Sequence, residues 1–206
     1  MFNFPTAVAF HGDDLVIADF MNGCLRVLSG GTSAGSVATH SGQCENSGTV
    51  DGPAGTSTYM LPAGVATRGA FTYITDQGPN AVRKVDASDY TTTIAGSGAA
   101  GGADNVIGVA ATFSYLQDIE IDANGYLYVL DRALGNLRLI APDGVVTTLL
   151  DSADLYQPIG VALNAAGDIA VGNFNGCFAS LYQVSPAADP AWPGGAPIAE
   201  APLPDV

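Results

Sequence analysis

Only six basic side chains occur in this chain of 206 residues, and three of them occupy one repeated slot. Arg26, Arg83 and Arg138 each follow an aspartate, Asp19, Asp76 and Asp131, by seven positions. That spacing suits an ion pair across a tight hairpin, where residues on neighbouring antiparallel strands stand side by side. An aspartate placed there also accepts backbone N–H groups from its own turn. The alternative chemistry is a ring of carboxylates around a cation, which an arginine beside each carboxylate disfavours. A weaker fourth copy carries Asn173 and Ser180 in the two slots, so both charges vanish together, as expected of a structural pair. No Gly-x-Ser-x-Gly elbow, phosphate loop or Cys/His pairing is present, and no catalytic residue is assigned. Gly96-Ser97-Gly98 and Gly101-Gly102 have the composition of a linker, with no helix following to hold a nucleotide.

The elements that must position these pairs also recur. Leu15-Val16-Ile17-Ala18-Asp19, Phe71-Thr72-Tyr73-Ile74-Thr75-Asp76 and Leu127-Tyr128-Val129-Leu130-Asp131 repeat one another, with a weaker copy from Asp168 to Asn173. A second landmark precedes each, centred on Val8, Val65, Ile119 and Val161, at distances of 11, 11, 12 and 12 residues from the later Asp or Asn. Each unit holds four short apolar stretches. In the third unit they are Ile119–Ile121, Tyr126–Leu130, Leu137–Ile140 and Val145–Leu150, joined at Asn124-Gly125, Gly135-Asn136 and Pro142-Asp143-Gly144. These are hairpin turns between segments too short for ordinary helices. Four antiparallel strands repeated every 42 to 57 residues predict the blades of a β-propeller.

The repeat resembles the NHL family. Asp19…Asn22-Gly23-Cys24-Leu25-Arg26 fits its pattern, and Asp76…Asn80-Ala81-Val82-Arg83 and Asp131…Asn136-Leu137-Arg138 fit with the asparagine displaced. The linkers are similar too: Ile94-Ala95-Gly96-Ser97-Gly98 leads to Asp104 and Phe113, as Asp51-Gly52-Pro53-Ala54 leads to Tyr59. The expected organisation is all-β, with NHL-like blades over residues 1–185 in units of about 1–41, 59–96, 113–151 and 156–185. The Pro/Ala-rich stretch 186–206 is expected to be a disordered tail or linker. That reading counts fifteen strands in four blades, the last one incomplete. Because the resemblance implies six blades most often, a fragment of a six-bladed propeller is favoured over a four-bladed ring or edge-to-edge self-association.

Some propellers that this chain resembles are lyases with metal-bound histidines or lactone hydrolases with axial carboxylates around calcium. Here His11 falls in a hairpin turn and His40 at the end of an outer strand, so a multi-histidine zinc site is not expected. At the starts of the innermost strands only Asp118, with Glu120 beyond it, offers a carboxylate, too few oxygens for calcium. No metal and no cofactor are therefore expected.

What remains is the face carrying the long loops, since loops gathered on a rigid scaffold commonly bind. Phe20, Met21, Leu134 and Phe174 follow the repeated Asp or Asn there and are the candidate contacts for a protein or peptide partner. The competing reading packs them beneath the Gly-rich linkers. A non-catalytic binding scaffold is thus the expected function; the alternative is the remnant of a metal-dependent propeller lyase or lactone hydrolase whose catalytic residues lie in missing blades.

A net charge of −14 with a single lysine, Lys84, leaves no basic patch for a nucleic acid. No apolar run is long enough to span a bilayer. No signal peptide is visible, with Asp13 and Asp14 arriving early. Cys24 and Cys44 flank neighbouring strands of the first unit and either bridge or remain free thiols. A bridge, with a truncated N-terminus, would point to an extracellular setting. Cys177 repeats the Asn-Gly-Cys text of Cys24.

Overall fold

The computed structural model describes residues 1–30, 35–152, 155–165, 167–173, 179–183 and 199–201. They form four antiparallel sheets of four strands each. Blade 1 contains β1 (Pro5–His11), β2 (Asp14–Asp19), β3 (Cys24–Ser29) and β4 (Ser36–Ser41). Blade 2 contains β5 (Pro62–Arg68), β6 (Phe71–Asp76), β7 (Ala81–Val85) and β8 (Thr91–Ala95). Blade 3 contains β9 (Leu116–Ile121), β10 (Leu127–Asp131), β11 (Asn136–Ile140) and β12 (Val146–Leu150). Blade 4 contains β13 (Pro158–Leu163), β14 (Asp168–Asn173), β15 (Ala179–Gln183) and β16 (Ala199–Ala201).

Blade 4 corrects one expectation. It has a fourth strand, because Ala199–Ala201 pairs antiparallel with Leu181–Gln183, inside the stretch read as a strandless tail. The segment is too short and too poor in β-branched residues to signal a strand. Main-chain pairing requires only an open edge, which β15 supplies.

The hairpin turns follow local chemistry. At Asn124-Gly125 the Asp122 carboxylate accepts the N–H groups of Asn124 and Tyr126, and Gly125 takes the left-handed conformation with φ +93°. In each blade the first strand packs against its counterpart in the next, β1 on β5, β5 on β9 and β9 on β13. The approach is close: a Cβ on Gly64 would lie 2.8 Å from Asp118 Cα and 2.9 Å from the Gln117 carbonyl. The apolar core accordingly lies in layers between blades. Val16 and Ala18 of blade 1 meet Val65 and Ile74 of blade 2. Ala66 and Val82 of blade 2 meet Ile119 and Val129 of blade 3. Tyr128 and Leu130 of blade 3 meet Val161 and Val171 of blade 4.

Candidate functional site

The repeated Asp and Arg converge at the long-loop end of the first three blades, where they form part of a larger clasp. In blade 2 Asp76 is fully buried and accepts the N–H groups of Met60 and Leu61 at 3.0 and 2.9 Å. Arg83 Nη1 lies 3.3 Å from Asp76 Oδ2, and Arg83 Nη2 lies closer still, 2.6 Å, to Asp51 of the linker. Asp51 in turn accepts the N–H and hydroxyl of Thr93 on the outer strand at 2.9 and 3.1 Å. The Arg83 guanidinium stacks over the Tyr59 ring, 5.3 Å from its centroid. Blade 3 repeats this: Asp131 accepts the Ser114 N–H, Arg138 lies 3.7 Å from Asp131 and 2.7 Å from Asp104, and Asp104 holds Thr148. Phe113 takes the place of Tyr59, 4.9 Å from Arg138. One arginine thus joins the second strand, the linker and the outer strand.

Blade 1 replaces the linker aspartate with a covalent tie. Cys24 and Cys44 form a disulfide with Cα atoms 4.9 Å apart, and the Arg26 guanidinium reaches Cys44 Sγ at 3.8 Å. Arg26 lies 4.0 Å from Asp19, which accepts the Asn3 N–H, and its Nε donates to the Ala38 carbonyl. Burial pushes the carboxyl pKa of Asp76 up to about 6 and that of Asp131 up to about 7, against the lowering pull of their N–H donors and arginines.

Just before each inner strand a large side chain stands out of the clasp into water. Phe4, Met60, Tyr115 and Tyr156 are all exposed, Phe4 at 68% and Tyr156 at 59%. Phe4, Tyr115 and Gln157 hold φ of +57°, +62° and +44°, a conformation that costs a non-glycine residue about 1 kcal/mol or more. Arg132 lies over the Tyr115 ring at 5.7 Å, and the two residues line a pocket of about 240 Å³ with Ala133 and Gln157.

No protein-family model and no curated protein matches the sequence. Solved structures do match in shape. The nidogen/laminin complex superposes with a TM-score of 0.62 at 14% identity, over 86% of this chain and 59% of that one. Virginiamycin B lyase from Staphylococcus aureus gives 0.60 at 11% identity, over 87% and 52%. An auxiliary nutrient binding protein from Bacteroides thetaiotaomicron gives 0.55 at 17% identity, over 68% and 35%. These neighbours are β-propellers, and this chain has four antiparallel four-stranded sheets like their blades in shape. The fold is a β-propeller. The chain spans 35%, 52% and 59% of the three proteins' own lengths.

On this propeller the loop residues singled out in the sequence divide. Met21 is exposed. Phe20 is half-buried with its ring 6.1 Å from that of Phe4. Leu134, expected in solvent, is half-buried instead, because the linker drapes over it with Gly102 in contact range. Phe174 and Cys177 lie outside the described residues. Phe4, Met60, Tyr115 and Tyr156 were missed. Their signal was present in the recurring text before the inner strands, where Phe2, Tyr59 and Phe113 lie under the clasp arginines, Leu155 takes the same slot in blade 4, and the next large residue is left over.

Along the propeller axis, a cavity of about 210 Å³ is lined by Thr6, Ala63, Gln117, Asp118, Glu120 and Ile159, among others. Asp118 accepts the N–H groups of Ile119 and Val161 at 2.9 and 3.0 Å, so it braces blade 3 to blade 4. Burial raises its pKa and that of Glu120. Among the described residues no three His, Cys, Asp or Glu side chains are grouped to hold a metal ion. His11 and His40 nevertheless meet, with ring centroids 6.0 Å apart, and burial lowers the His40 pKa. No helix among the described residues is long and apolar enough to cross a membrane.

Proposed function

We propose that this propeller is a binding scaffold with NHL-type repeats, presenting its long-loop face to a protein or peptide partner. The observation that carries this reading is the set of large side chains left in water at the inner-strand starts, Phe4, Met60, Tyr115 and Tyr156, with Met21 beside them. The four stand in the one or two residues just before the inner strands, where in blades 2 and 3 Asp76 and Asp131 hold the Met60 and Ser114 N–H groups, so less backbone freedom remains to be lost on binding. Aromatic residues so held are the usual anchors of an interface, and Arg132 adds a charged group at the rim. The Cys24–Cys44 bridge suits an oxidising compartment, where such a partner would be met.

The test uses a random linear-peptide phage library panned on the immobilised chain, with the recovered peptides then titrated against variants. Phe4→Ser/Tyr115→Ser and Tyr156→Ser should weaken those peptides at least tenfold while leaving the melting temperature near that of the parent. Failure to enrich peptides, or equal binding by the variants, would count against this face.

A further inference from the structure

Three of the six basic side chains, Arg26, Arg83 and Arg138, are taken up by the clasps. Two of the other three, Arg68 and Lys84, line one cavity of about 320 Å³ between blades 2 and 3. It opens among the short hairpin turns at Asn124-Gly125 and Pro142-Asp143-Gly144, at the end of the propeller opposite the long loops. Lys84 stands in a slot that neighbouring blades fill with apolar residues. It follows the clasp arginine directly, where blade 1 has Val27 and blade 3 has the buried Leu139. Its cross-strand neighbour Tyr73 lines the same cavity, and its ammonium lies over the Phe71 ring, 4.1 Å from the centroid. Arg68 reaches across from blade 2, its Nη2 donating to the Ala123 carbonyl of blade 3 at 2.6 Å.

Neither cation forms an ion pair among the described residues. The carboxylates of the surrounding turns hold their own backbone: Asp86 accepts from Ser88 and Tyr90, Asp122 from Asn124 and Tyr126, and Asp143 from Val145. Burial raises the Tyr73 hydroxyl pKa against the pull of Arg68, so at neutral pH this group keeps its proton as a donor. Behind these polar groups the wall is apolar. Leu127 and Ile140 belong to the core between the two blades, and Ile94 packs against it.

We propose that this cavity binds a small organic acid, its carboxylate between Arg68 and Lys84 and its apolar body against Ile94, Leu127 and Ile140. A carboxylate has two oxygens and accepts from two cationic donors at once. In a chain of net charge −14 most of the surface repels an anion, and two unpaired cations in one cleft mark the place where one is drawn in. The volume lies at the small end of the range for small-molecule sites, which admits a compact acid rather than a nucleotide or an extended peptide. Lying at the opposite end from the long loops, this site is independent of the partner surface proposed there.

Titration of the full isotope-labelled chain with benzoate and with hexanoate, followed by two-dimensional NMR, tests it. Both acids should give saturable shifts at millimolar concentration, largest at the amides of Arg68, Lys84, Asn124 and Gly125. Neutral benzamide should give none there. Arg68→Gln, at an exposed position, and Lys84→Met, in a slot that is apolar in neighbouring blades, should each weaken benzoate at least tenfold while the rest of the spectrum keeps its positions. If neither acid gives saturable shifts at these amides, the proposal is overturned. Equal binding of benzamide overturns it too, as does benzoate binding that survives either substitution. Inorganic phosphate that binds as tightly as benzoate would do the same, since charge alone would then account for the site.

Discussion

In blades 2 and 3 a buried guanidinium shared between two carboxylates holds the clasp, and its loss leaves charge with no partner. Arg138 is wholly buried between Asp131 and Asp104, with its Nε lacking an acceptor among the described residues. Arg138→Met should lower stability by about 3–5 kcal/mol, the usual cost of stranding one member of a buried pair. Urea denaturation checks this; a loss below about 1 kcal/mol would mean that Asp131 takes up a proton without the arginine and so strands no charge. The raised carboxyl pKa values add a pH dependence. Asp131 titrates near 3.8 in the unfolded chain and at about 7 in the folded one, and Asp76 at about 6. The unfolded chain thus releases these two protons first, so what the pair of carboxyls contributes to stability is greatest below pH 4, falls as pH rises to about 7, and then levels. His40 opposes this near its own lowered pKa, so the comparison is best made in a His40→Gln background. There, Asp131→Asn should flatten the decline in denaturation midpoint between pH 4 and 7; an unaltered slope would remove Asp131 as its source. At this scale the Asp–Arg pairing was legible from the seven-residue spacing alone. The tighter partners, Asp51 and Asp104, were not, because 32 and 34 residues separate them from Arg83 and Arg138 and only the path of the linker brings them back.

At the scale of elements, the linkers act as straps rather than as loose connections. Those after blades 1 and 2 each place an aspartate against the arginine and the outer-strand threonine of the blade that follows. Blade 1 has the equivalent threonine, Thr39, opposite Arg26, but relies on the Cys24–Cys44 disulfide. With the cysteines 20 residues apart, closing that loop is worth about 3 kcal/mol in the chain-entropy description. Cys24→Ala/Cys44→Ala should therefore lose about 3 kcal/mol in denaturant, and reductant should lower the melting temperature of the parent but not of the variant. A parent indifferent to reductant would show that the bridge contributes little. The strands themselves were legible because period-two apolar stretches bounded by Asn-Gly and Pro-Asp-Gly leave few other readings. The last strand, Ala199–Ala201, was hidden because its order comes from the neighbouring edge rather than from its own side chains.

At the scale of the whole molecule, the inner strands of the four blades line an axial cavity whose one well-placed carboxylate, Asp118, is already engaged by two N–H groups. Calcium or zinc at micromolar concentration should consequently leave the melting temperature unchanged; a clear rise would revive the metal-dependent reading, since a ligand of the native state must stabilise it. Sequence alone determined the repeat, the antiparallel sheets and the pairing slot, because each depends on residues close together in the chain and on alternation along a strand. Only the tertiary structure decided which large side chains are core and which are surface. Val8 and Val65 occupy the same slot in their blades, yet one meets water and the other does not, because burial depends on whether a neighbouring blade lies alongside. The same holds for Leu134 beneath its linker and for Tyr115 above its clasp. Local pattern specifies a face, whereas the contacts of that face are set by elements distant in sequence.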